Sequence, residues 1–325
     1  MVKLITVKKI CGNLVNYWRI AMASTSKSFK RDPKLLSRMY LTMIMLGVLY
    51  AVFTLFLLRL GIPVMFVGII VGAMAIFQYY MSDKMVLKSS GAKEVSEKEE
   101  PKLHEIIKTL ADRYNMPMPK VAVIDSAVPN AFATGRNPDN ALVVVTTGIQ
   151  KRLSTRELSS VIGHELAHVA NRDIRILAMG NFFVMLTSFL MTMFFWNMLF
   201  GGMGRRREGG GVMMIAYLVT MVVYFVGQIL VLSLTRYREY GADHTGSEIS
   251  GDPGALADAL GKISGAVAQI PDQDLRKLQT ANAFLIISAS LKNSGGANLF
   301  STHPPVEERI KKLRELEHRM KYGAR

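Results

Sequence analysis

Four uncharged apolar runs constrain what this chain can become: Met39 to Leu58, Ile62 to Met81, Ile176 to Phe200 and Val212 to Thr235. Each holds about the ~20 residues an α-helix needs to cross a hydrocarbon core. A bilayer offers no water to the backbone, so such runs must satisfy their own hydrogen bonds as helices. Arg59-Leu60-Gly61-Ile62-Pro63 leaves only a tight turn between the first two, and Gly201 to Gly211 joins the last two. The pattern predicts about four membrane helices in two hairpins, at 39–81 and 176–235. The second hairpin either spans fully or lies partly buried against the neighbouring domain.

Charge gives the orientation. Half the residues are hydrophobic, yet the formal charge is +15. Residues 1–38 hold nine Lys/Arg against Asp32 alone, with no cleavable signal pattern behind Met1. Leu4, Ile10, Leu14 and Trp18 fit either an amphipathic helix on the membrane surface or a flexible basic arm. Cations gather on the cytoplasmic side, and an even number of crossings returns the chain there. A multi-pass protein of the cell inner or plasma membrane is therefore expected, with its polar parts, 82–175 and 236–325, facing the cytoplasm. Arg205, Arg206 and Arg207 pull the other way but are outnumbered. The near balance of charge over 82–175 argues for the lipid bilayer and against nucleic acid as the partner. A transporter would carry ionisable groups within its spans, and these have none. The single cysteine, Cys11, excludes an intrachain disulfide and a Cys-rich metal site. No feature specifies an oligomeric state.

Ser154-Thr155-Arg156-Glu157 is a capping box that starts a helix. Leu158, Val161, Ile162, Leu166 and Val169 give that helix an apolar face. His164 and His168 lie four apart, one above the other, with Glu165 beside them. This H-E-x-x-H spacing lets two imidazoles hold one zinc ion per chain while the carboxylate acts as general base toward a water. Two structural histidines are the bland alternative, but burying them with a Glu and no partner is costly.

Past the second hairpin, Glu239 is the candidate third ligand, and Asp243, one turn on, could accept the outer N–H of a ligand histidine. A charged juxtamembrane helix end would read similarly. His244 points elsewhere on such a helix. Lys120 to Asp125 and Asn140 to Thr147 are strand-like, and Val128 to Arg136 between them reads as a loop. The second strand, at Leu142, Val143, Val144 and Val145, could pair with an extended substrate, with Asn130 nearby, or could be an ordinary internal strand. Asp252-Pro253 starts a further helix, Leu275 to Leu291 reads as another, and Val306 to Met320 as the last. Peptide hydrolysis needs a donor for the oxyanion, and His303 or Arg309 could supply it or serve as anchors.

His164-Glu165-Leu166-Ala167-His168, followed by Glu239-Tyr240-Gly241-Ala242-Asp243, resembles the HtpX family of membrane-embedded zinc metallopeptidases. Asn130 to Gly135 and Ser301-Thr302-His303-Pro304-Pro305 carry the likeness further, over about 35–318. The resemblance implies a mainly helical α+β membrane protein with four membrane segments. Its catalytic domain would be zincin-like, of gluzincin type, with a small β-sheet and a cytoplasmic active site. It implies His164, His168 and Glu239 as zinc ligands and Glu165 as base. The family is associated with stress and with quality control of misfolded or damaged membrane proteins. The alternative is a membrane scaffold with a structural zinc site. Structural sites are usually closed by four protein ligands, and the scaffold reading would need a fourth, such as His303 or His244.

Overall fold

The fold comes from a computed structural model that describes residues 33–62, 64–135, 137–200, 210–268 and 303–323. The arm expected over 1–38 lies almost wholly outside the described residues, as do 201–209 and the helix expected over Leu275 to Leu291. Each apolar run forms a helix: α1 (Pro33–Arg59), α2 (Val64–Ser90), α6 (Asp173–Phe200) and α7 (Gly210–Ser250). Three helical stretches are long and apolar enough to cross a membrane: Ser37–Arg59, Ile176–Phe200 and Gly211–Ser250. In α2 the apolar stretch among the described side chains is shorter, Met65–Phe77, so that measure supports three crossings where four were expected. Ile44, Val48, Val52, Phe66, Ile215 and Val222 point outward, as lipid-facing positions should.

The first hairpin is splayed. α1 lies along α7 and α2 along α6, while α1 and α2 scarcely touch. At the α1–α7 contact a glycine leaves room for a tyrosine side chain. At Gly227 of α7 a Cβ would lie 2.4 Å from the hydroxyl of Tyr50 on α1.

The polar domain has its own core, formed by α3 (Pro101–Arg113), α5 (Thr155–Ala170), α8 (Pro253–Ala268) and α9 (Val306–Tyr322) against one face of a sheet. The strands β1 (Lys93–Glu94), β2 (Lys120–Ile124), β3 (Ala131–Thr134) and β4 (Leu142–Thr146) are ordered β1-β2-β4-β3, and a short helix α4 (Thr147–Arg152) follows β4. β4 pairs parallel with β2 and antiparallel with β3. Its unbroken apolar sequence follows from burial on both faces: Val143 and Val145 meet the helices, Leu142 and Val144 the opposite side.

Two sequence expectations are corrected here. The segment read as a loop over Val128 to Arg136 contains β3, only four residues long between Pro129-Asn130 and Gly135, and held by pairing with β4. Leu142, Val143, Val144 and Val145 cannot pair with a substrate, because β2 and β3 occupy both edges of β4.

The start of α5 follows the expected capping box. Ser154 Oγ accepts from the Glu157 N–H at 3.3 Å, and Glu157 Oε2 accepts from the Ser154 N–H at 2.8 Å. Lys262 of α8 donates to the same oxygen at 2.8 Å. Ser154→Ala is expected to cost about 1 kcal/mol of stability. A lowered denaturation midpoint of the detergent-solubilised protein would register it.

Candidate active site

One face of α5 carries His164, Glu165 and His168, and α7 crosses it at closest approach. A Cβ on Gly246 would stand 2.6 Å from His164 Cα, so the two helices meet backbone to backbone. The crossing brings Glu239, one face of α7, over the two imidazoles. His164 Nε2 lies 3.6 Å from Glu239 Oε2, and His168 Nε2 lies 3.4 Å from Glu239 Oε1. One ligand atom from each of the three residues falls within 4.8 Å of the others. Among the described residues this is the only group of its kind. His244 stands apart from it, 3.8 Å from Glu248.

Do these residues fit a cation? His164 and Glu239 are almost fully buried, and Glu239 Oε2 makes no hydrogen bond of acceptable geometry. That oxygen already has the Arg309 guanidinium 3.2 Å away, so the case for a metal rests on the two Nε2 atoms that converge with the carboxylate. Two nitrogens and one oxygen are a donor set typical of a catalytic zinc site with a position left open. The residues fit.

A carboxylate stands at each outer nitrogen, hydrogen-bonded at His168. His164 Nδ1 is 3.0 Å from Asp243 Oδ1, and His168 Nδ1 is 2.7 Å from Asp173 Oδ2. Burial opposes a charge on either ring, yet Asp243 and Glu239 at His164, and Glu239 at His168, hold both imidazoles above their ordinary value. Protons therefore compete for the ligand nitrogens, and loading a cation must release them. Burial pushes the Glu165 carboxyl up, while the two imidazoles pull against it. That shift suits a base working near neutrality. Glu165 Oε2 accepts from the Ala133 N–H of β3 at 3.0 Å, which fixes the carboxylate beside the ligand group.

The two candidate oxyanion donors part company. Arg309 is fully buried and bidentate on Asp243, at 2.9 and 2.7 Å, with Nη1 3.2 Å from Glu239 Oε2. Burial works against its charge, but Asp243 and Glu239 hold the guanidinium protonated. Through Nε and Nη2 it anchors Asp243, while Nη1 stands against Glu239 without a hydrogen bond. His303 keeps 15% of its side chain exposed, with Nδ1 3.1 Å from Glu239 Oε2. Asn130 precedes β3 and is buried, its backbone exchanging hydrogen bonds with Thr146.

Asp173 and Arg238 were missed by the sequence reading. Asp173 begins α6 and pairs with Arg238 of α7 as well as with His168. Their signal was faint: an acid and a base at the mouths of two uncharged runs, where each needs a partner.

The profile of peptidase family M48 matches residues 97–317. A protease HtpX homolog of Moorella thermoacetica is 47% identical over 290 residues, which cover 89% of this chain and 96% of that protein. A protease HtpX homolog 2 of Methanosarcina acetivorans is 43% identical over 296 residues, 90% of this chain and 99% of that one. The crystal structure of S. mikatae Ste24p shares the fold, with a TM-score of 0.52 at 18% identity, covering 87% of this chain and 67% of that one.

Proposed function

The chain belongs to peptidase family M48 and to its HtpX proteases, and from that premise we propose a zinc-dependent endopeptidase that cuts unfolded segments of membrane proteins at the cytoplasmic face. That it is a membrane-associated metalloprotease follows from the family and from its long apolar helices. Zinc, the cytoplasmic side and misfolded or damaged membrane proteins as substrates are our reading. The observation that carries it is the three-residue ligand group with a general base held against the outermost strand.

His164, His168 and Glu239 would hold the ion, which when bound polarises a carbonyl and acidifies a water. Glu165 takes the proton from the attacking water and hands it to the leaving amine as the peptide bond breaks. Its buried position excludes bulk solvent from that exchange. His303, partly exposed beside Glu239, and the Nη1 of Arg309 are the candidates to donate a hydrogen bond to the oxyanion.

The substrate backbone would lie along β3. This strand has β4 on one side and, among the described residues, no strand on the other. Asn130 exchanges hydrogen bonds with Thr146, so by alternation the backbone groups of Ala131 and Ala133 face away from β4. The N–H of Ala133 already points at Glu165. An extended peptide paired there is read through its backbone, which suits unfolded chains of varied sequence. A scaffold built on a closed four-ligand site finds less support, since the described group has three members.

Chelation of the detergent-solubilised protein is expected to abolish cleavage of an unfolded casein-type substrate, and one equivalent of zinc to restore it. Undiminished cleavage by metal-free protein would overturn the assignment.

A further inference from the structure

Each ligand imidazole has a carboxylate at its outer nitrogen, and each carboxylate has its own arginine. Asp243 and Arg309 stand behind His164, and Asp173 and Arg238 stand in the same relation to His168. We propose that Asp173, held by Arg238, is a positioning residue that fixes the ring and tautomer of His168 and ties the metal site to helices α6 and α7. This rests on the reading of His164, His168 and Glu239 as the ligands.

The imidazole of His168 is held at Nδ1 by Asp173 at 2.7 Å, while Nε2 faces Glu239 at 3.4 Å. With Nδ1–H donated to Asp173, the Nε2 lone pair is left for the ion. Asp173 and Arg238 are 2% and 5% exposed, so water cannot substitute for either partner. Arg238 also precedes Glu239 in the chain. A shift of α7 that moves the ligand carboxylate therefore moves the group that holds Asp173.

The backbone leading to Asp173 supports the same reading. To return to His168 only five residues later, the chain turns through Arg172, which adopts φ +56°. That left-handed position is normally given to glycine, and costs an L side chain about 1–2 kcal/mol. Strain of this kind persists where surrounding contacts over-determine the conformation. At the end of α5 the Asn171 and Arg172 N–H groups bond the Ala167 and Val169 carbonyls, and the next residue, Asp173, meets the His168 ring and the Arg238 guanidinium.

The test compares two variants of the intact, detergent-solubilised chain in an Arg238→Met background, which removes the cation that would otherwise be buried alone. Asp173→Asn keeps an acceptor for the His168 N–H, and Asp173→Leu has similar volume and none. Zinc affinity, read by competition with a chromogenic chelator, is expected to fall about 10–100-fold in the Leu variant and markedly less in the Asn variant. Equal affinities for the two would overturn the inference, and wild type that binds no zinc would overturn the ligand reading beneath it. A second measurement needs no variant to fold. In zinc-loaded wild type with ¹⁵N-labelled histidine, the His168 signal is expected to show a protonated Nδ1, and a protonated Nε2 would sink the proposal.

Discussion

Glu165→Gln is expected to lower kcat for peptide hydrolysis by about 10²–10⁴-fold, the usual contribution of a positioned general base, while one zinc stays bound per chain. The amide is the same size and can still sit beside the Ala133 N–H, so the fold has no reason to change. What it loses is the ability to take a proton from water. Glu165 is not one of the three ligand residues, so metal content should be wild type by elemental analysis. The assay is cleavage of an unfolded casein-type substrate by zinc-loaded protein in detergent. A Gln variant that cuts at the wild-type rate would remove Glu165 from the mechanism.

The second large effect is expected far from any reacting atom. Gly246→Ala places a Cβ 2.6 Å from His164 Cα and 2.8 Å from His164 N, both backbone-fixed atoms that cannot rotate away. Ordinary contact begins near 3.4 Å, so α5 and α7 must part by roughly 1 Å, enough in a catalytic site to cost about 10²-fold in rate. The parting separates His164 and His168 from Glu239, since the three ligands sit on those two helices. Zinc affinity and kcat should fall together, with about 1–3 kcal/mol of stability lost to overpacking. Gly241→Ala is the control: on the same helix, its Cβ would meet nothing within 4 Å. It should leave activity intact and add up to about 1 kcal/mol of helix stability. If both glycine variants behave alike, the helix crossing does not set the site.

Much of this arrangement is legible from local pattern. Uncharged runs of helix length became helices, the Ser154 capping box began α5, and four-residue spacing put His164 with His168 and Glu239 with Asp243 on shared faces. What escaped depends on tertiary neighbours. β3 is a strand because β4 lies beside it, and Asn130 to Thr134 alone reads as loop. The edge that faces Glu165 therefore belongs to a segment too short, among turn residues, to read as a strand. Asp173 reaches His168 only because Arg172 turns left-handed, which no rule for an arginine would anticipate. Arg309 lies 66 residues beyond Asp243, so its side chain could be seen as basic but not as paired with that carboxylate. The helix pairing of the apolar part was likewise hidden, since chain order suggested α1 against α2 while the contact at Tyr50 and Gly227 joins α1 to α7.

α7 is one unbroken helix of 41 residues, about 60 Å long. Its uncharged stretch ends at Thr235, and Glu239 follows one turn later on the same rod. Anchor and ligand thus have no joint between them. A helix whose apolar length exceeds the local hydrocarbon thickness answers by tilting, and a tilted rod carries its far end with it. A tilt of α7 in the bilayer would carry the Glu239 carboxylate with it.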